Sequence, residues 1–141
     1  MAKYKYIIIL LLLVGLFTIV GCPSGNNNQQ YQIINVQPEN RYIDAGQNSR
    51  IFFEIVNNAE TTLVSRIETQ LNSTCFGTTE DKGLDGIPPK QKISYYVYIR
   101  SSSSYYNGEG CKGKSFKAVL VLKDIGGQKL ASEETEISIP K

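Results

Sequence analysis

The sequence predicts an all-β fold, a single antiparallel β-sandwich of about seven strands preceded by a helical signal segment. Three observations predict it. From Tyr31 onward, apolar side chains recur at every second position in short runs, the period of a half-buried strand. Proline, glycine and asparagine clusters separate the runs at intervals that suit antiparallel connections. After Cys22, no stretch combines a 3.6-residue apolar period with helix caps.

Residues 31–36 form the first expected strand, closed by Pro38, which cannot donate to a ladder. Residues 50–56 form the second, with Ile51, Phe53 and Ile55 on one face and Arg50, Phe52 and Glu54 on the other. Asn57 and Asn58 break it, a pair that tolerates the left-handed conformations of a hairpin. Residues 62–71 give a third, in which Leu63, Ile67 and Leu71 alternate imperfectly with Arg66, Glu68 and Gln70. Thr78-Thr79-Glu80-Asp81-Lys82-Gly83-Leu84-Asp85-Gly86 has the glycines and charges of a solvated loop. Residues 91–100 are the next strand, Ile93, Tyr95, Val97 and Ile99 facing one way and Tyr96, Tyr98 and Arg100 the other. Residues 115–123 are apolar on both faces, as a covered central strand requires. Ile125-Gly126-Gly127-Gln128 makes a hairpin turn, and residues 129–139 close the sheet.

Asn35-Val36-Gln37-Pro38, then Asp44-Ala45-Gly46-Gln47 leading into Ile51-Phe52-Phe53-Glu54-Ile55-Val56-Asn57-Asn58, resembles the opening of immunoglobulin-like modules in archaeal and bacterial surface proteins, the adhesion-related class. The resemblance implies an immunoglobulin-like sandwich. No tryptophan stands between the two later cysteines, so the antibody pattern itself is not met.

The amino-terminal segment carries an address. Lys3 and Lys5 precede an apolar run from Ile7 to Val20, and Ile19-Val20-Gly21-Cys22 places slim residues before a cysteine. This is similar to the lipobox of prokaryotic lipoproteins. The resemblance implies removal of residues 1–21 and a diacylglyceryl group on Cys22 as the first mature residue. The alternatives are an uncleaved anchor or an ordinary cleaved signal; the run is shorter than the roughly 20 apolar residues of a spanning helix. Residues 22–30 then act as the lipidated cysteine and a polar tether, and residues 31–141 as the sandwich domain.

Without its signal the chain has as many acidic as basic residues, so nothing in its charge favours nucleic acid as a partner. With Cys22 lipidated, Cys75 and Cys111 remain as a pair in an exported, oxidising compartment and are expected to form a disulfide. Two cysteines without histidine cannot complete a structural zinc site, and neither a metal nor a cofactor is expected. The absence of histidine and of a glycine-framed serine speaks against catalysis. Glu80, Asp81 and Asp85 offer carboxylates for a hydrolytic pair, and Asp81 and Asp85 offer oxygen ligands for calcium, but the composition around them is that of a plain connection. Asn72-Ser73-Thr74 is a glycosylation sequon.

The segment from Tyr95 to Gly108 is different in kind, because it holds Tyr95, Tyr96, Tyr98, Tyr105 and Tyr106 together with a serine run. Tyrosine offers large contact area with few torsions to freeze, and serine and asparagine adapt their hydrogen bonds. Tyr96, Tyr98, Tyr105 and Tyr106 are therefore the candidate partner-binding residues. The plain alternative is that Tyr96 and Tyr98 only cover a sheet face. The expected function is a lipid-anchored, non-enzymatic binding or adhesion-type domain on the extracytoplasmic face of a membrane, recognising a protein or glycan. The alternative is a structural subunit of a cell-envelope or surface-filament assembly joined by edge-strand pairing.

Overall fold

A computed structural model describes residues 29–44, 46–71, 73–77, 81–102 and 110–141. Seven strands follow in order: β1 (Tyr31–Pro38), β2 (Asn48–Asn57), β3 (Leu63–Leu71), β4 (Lys82–Ile87), β5 (Gln91–Arg100), β6 (Ser115–Asp124) and β7 (Lys129–Ser138). They form two antiparallel sheets, β1-β2-β5 and β4-β3-β6-β7, stacked as a sandwich. The connections β2 to β3, β4 to β5 and β5 to β6 each cross between sheets.

The alternation of β2 and β5 builds one wall of the core, where Ile51, Phe53, Ile55, Val97 and Ile99 are buried. Leu63, Ile67, Leu84, Ile87, Ala118, Leu120, Leu122 and Ile137 build the other. The imperfect pattern of β3 proves regular: Ser65 and Thr69 occupy inward positions between Leu63, Ile67 and Leu71, and their hydroxyls lack hydrogen-bond partners. β6 is the central strand expected, paired on both sides and with Val121 buried on its outer face.

Two expectations are corrected. The supposed loop around Lys82 contains strand β4, whose Leu84 and Ile87 enter the core while Asp85 faces out. Its glycines and charges lie on the solvent side, which hides a strand from composition. Asn57 and Asn58 do not form a hairpin, because β2 and β3 lie in different sheets. Asn57 is instead fully buried. Its Nδ2 donates to the carbonyls of Thr61 at 2.8 Å, Ile87 at 2.9 Å and Pro88 at 3.1 Å, and its Oδ1 accepts from the Ala59 N–H at 2.9 Å.

The first strand contains a bulge. Its register shifts between Ile34 and Gln37, and Asn35 takes a left-handed φ of 54°. The extra residue lets Ile33 and Val36 both face the core. After β1, the chain crosses toward the second sheet, where Tyr42 and Ser138 form a parallel bridge and Ile43 is buried beside β7.

Candidate functional site

The candidate site is the outer face of the three-stranded sheet. The uninterrupted β2-β5 register places Phe52 opposite Tyr96 and Arg50 opposite Tyr98. Phe52 and Tyr96 meet edge-on with centroids 6.1 Å apart, and Tyr96 and Tyr98 do the same at 5.3 Å. Phe52 remains 39% exposed and Tyr98 46%, so the ladder presents aromatic area to solvent.

Cations are woven into it. The Arg50 guanidinium lies 5.1 Å from the Phe52 centroid and 5.6 Å from that of Tyr96. The Lys82 ammonium reaches across from β4 to 4.7 Å from the Tyr96 centroid. Such contacts contribute about 0.5–1 kcal/mol at exposed sites and fix ring orientation. Arg50 is itself held by Glu39, through Nη2 to Oε1 at 2.5 Å and Nε to Oε2 at 3.1 Å, which keeps the Glu39 carboxyl below its ordinary pKa. Further along the face, Glu54 accepts from Lys92 at 3.1 Å and from Asn35 on the β1 bulge. Those two bonds, that of Lys92 first, hold its carboxyl in the charged form.

The expected site residues are placed unequally. Tyr98 is exposed on the outer face. Tyr96 is half-buried, and its ring already carries two cations, so it supports the face more than it offers contact. Tyr95 points inward and stacks on Phe53 with centroids 6.2 Å apart, and burial raises its pKa. Phe52, which sequence reading left as a strand residue, joins the site; its signal was an aromatic side chain on a solvent-facing strand position. Tyr105 and Tyr106 lie outside the described residues, as do Cys22 and Asn72.

The base of the segment that carries Tyr105 and Tyr106 is nevertheless fixed. Cys75 and Cys111 form a disulfide with Cα atoms 5.7 Å apart, both buried beside the Phe76–Phe116 edge-to-face pair. The Ser102 N–H donates to the Cys75 carbonyl at 3.0 Å. Ser102 and Cys111 thus both meet Cys75.

Among the described residues, no group of three or more histidine, cysteine, aspartate or glutamate side chains is placed to hold a metal ion. No helix among them is long and apolar enough to cross a membrane. Asp81 and Asp85 are exposed.

No protein-family model matches the chain, and neither does any curated protein. Solved structures do match. A FixG-related protein from Vibrio parahaemolyticus aligns with a TM-score of 0.57 at 7% identity, over 78% of this chain and 96% of that one. A beta-glucuronidase from glycoside hydrolase family 2 aligns at 0.55 with 17% identity, over 78% of this chain but 13% of the enzyme. The Bacillus subtilis sporulation control protein Spo0M aligns at 0.53 with 11% identity, over 79% of this chain and 50% of that one. At such identities the likeness is one of fold, a β-sandwich that occurs both alone and within longer chains.

Proposed function

We propose that this protein is a lipid-anchored extracytoplasmic binding domain that recognises a protein partner through the outer face of β1-β2-β5. The observation that carries the reading is the exposed Phe52–Tyr98 ladder braced by Arg50 and Lys82. A solvent-facing sheet needs no such aromatics, and rigid tyrosines with cations are the usual anchors of protein interfaces. A glycan is the less favoured ligand. The interplanar angles of 64° and 80° leave no flat platform for sugar rings, and the Tyr96 ring is engaged by cations. The anchor is supported by the Cys22 motif.

Replacing Tyr98 with a photoreactive benzoyl-phenylalanine on intact cells should give a discrete adduct with another protein. The same group at Val64, 53% exposed on β3 of the opposite sheet, should not. Equal labelling from both positions, or none from Tyr98, contradicts the proposal.

The edge of β5 supports a second reading, pairing with a strand from an assembly partner. Of the four sheet edges, β1 carries a bulge and Pro38, β4 is six residues long, and β7 is lined by Glu133, Glu134 and Glu136. Those are protective devices, whereas β5 is ten residues long and regular. Two copies joined antiparallel through β5 would point their amino-terminal poles in opposite directions. A shared membrane therefore disfavours self-pairing, and a strand from a different protein is the fitting occupant.

A further inference from the structure

We infer that the β6–β7 end of the sandwich rests on a lipid bilayer with Ile125 seated in its interface. The inference builds on the lipid anchor at Cys22 and adds to it an orientation and a second contact.

Strand polarity defines two poles. The start of β1 is tied to the end of β2, since Tyr31 pairs with Asn57, the Asn58 N–H donates to the Gln30 carbonyl at 2.8 Å, and Asn58 Nδ2 donates to that of Gln29 at 3.1 Å. The end of β6 and the start of β7 lie at this same pole, as does Lys90. The disulfide, Tyr42 and the carboxyl-terminal residues lie at the other. The expected tether is thereby shortened, because Gln29 and Gln30 belong to the folded domain. From Cys22 to Gln29 a fully extended chain spans at most about 25 Å, less than the roughly 33 Å length of a ten-residue strand. The anchor therefore draws down the pole that carries Ile125.

Ile125 is 82% exposed, more than any other large hydrophobic side chain among the described residues. It stands in a turn, where small polar residues are the rule. The turn holds it outward: the Asp124 carbonyl accepts the Gly127 N–H at 3.1 Å, the Asp124 Oδ1 accepts the Gln128 N–H at 2.8 Å, and Gly127 has a φ of 87°. Basic groups flank it. The Arg66 guanidinium lies 3.5 Å from where a Cβ on Gly127 would stand, and Lys129 opens β7. The Asp124 carboxylate next to Ile125 is engaged by the Gln128 N–H, and an apolar tip with cationic side chains nearby is an arrangement that seats apolar atoms among acyl chains and leaves charge among headgroups.

The chain has no tryptophan, so Ile125→Trp introduces a single tryptophan that can be excited apart from the tyrosines, and Tyr42→Trp at the opposite pole is its counterpart. The lipidated protein is reconstituted into phosphatidylcholine and phosphatidylglycerol vesicles containing brominated acyl chains. Emission from Ile125→Trp should shift to the blue and be quenched several-fold more than that from Tyr42→Trp. Tryptophan itself favours interfaces, so the unmodified chain provides the second measurement. Amide exchange at residues 125–126 should slow on vesicles relative to detergent, while exchange at residues 112–114 should not. Equal quenching at the two poles, or unchanged exchange at residues 125–126, overturns the inference while leaving the anchor intact if the protein still floats with vesicles and carries lipid mass on Cys22. Protein that neither floats nor carries that mass overturns both.

Discussion

Asn57 illustrates how one side chain can hold two sheets in register. Buried at the end of β2, it donates to carbonyls from the β2–β3 crossover and from the end of β4 and just beyond it, at the junction of the two sheets. Leaving such groups without partners costs about 1–3 kcal/mol each. Asn57→Ala should therefore lower unfolding free energy by about 3 kcal/mol or more in denaturant titration. Asn58→Ala should change it by less than about 1 kcal/mol, because its side-chain bond is exposed. Equal effects would show that the amide does not staple the crossover. The sequence marks both residues as breakers of a strand, and nothing local distinguishes the buried member. That distinction depends on β4, about 30 residues away.

The elements were readable where period two survives in the sequence and obscured where it is carried by polar residues. β2 and β5 combine bulky inward residues with clear alternation, so their faces follow from the sequence, and β6, apolar on both faces, reads as a central strand. In β3, Ser65 and Thr69 interrupt the apolar count although they point inward. In β4, only Leu84 and Ile87 are buried, and Gly83, Asp85 and Gly86 give the strand the composition of a turn. The pairing of β4 with β3 sets the difference between a loop and a strand. Leu84→Ala should accordingly cost about 2–5 kcal/mol, as for a buried leucine in a packed core. A change below about 0.5 kcal/mol, the range of surface substitutions, would return the segment to a loop. The aromatic ladder was half readable: Tyr96 and Tyr98 stand out in β5, whereas the role of Phe52 depends on the β2-β5 register.

At the scale of the whole molecule, the division into β1-β2-β5 and β4-β3-β6-β7 follows from long-range pairing that no local signal encodes. The cysteine pairing was readable from parity, because only one pair remained once Cys22 was assigned to lipid. Cys75 and Cys111 are separated by 36 positions, and closing a loop of that size contributes about 4 kcal/mol in the chain-entropy model. Reduction, or Cys111→Ser, should lower the denaturation midpoint accordingly. Unchanged stability would mean that the buried Phe76–Phe116 contacts hold this pole without the bridge. The described residues give the sandwich two distinct poles, with Gln29 and Gln30 at one end and the Cys75–Cys111 disulfide at the other. The outer face of β1-β2-β5 runs along the side between them.

Phe52 and Tyr98 are proposed to form a binding surface and not merely a cover for the sheet. The Phe52→Ser, Tyr98→Ser double variant separates these roles, measured for unfolding and for affinity toward the protein captured at Tyr98. Unfolding should change by about 1 kcal/mol, the scale of the edge-on and cation contacts that two partly exposed rings give up. Affinity should fall by about 2 kcal/mol or more, roughly 30-fold, as for an aromatic hot spot. A variant that binds as tightly as the parent contradicts the account, and so does one whose stability falls as far as its affinity.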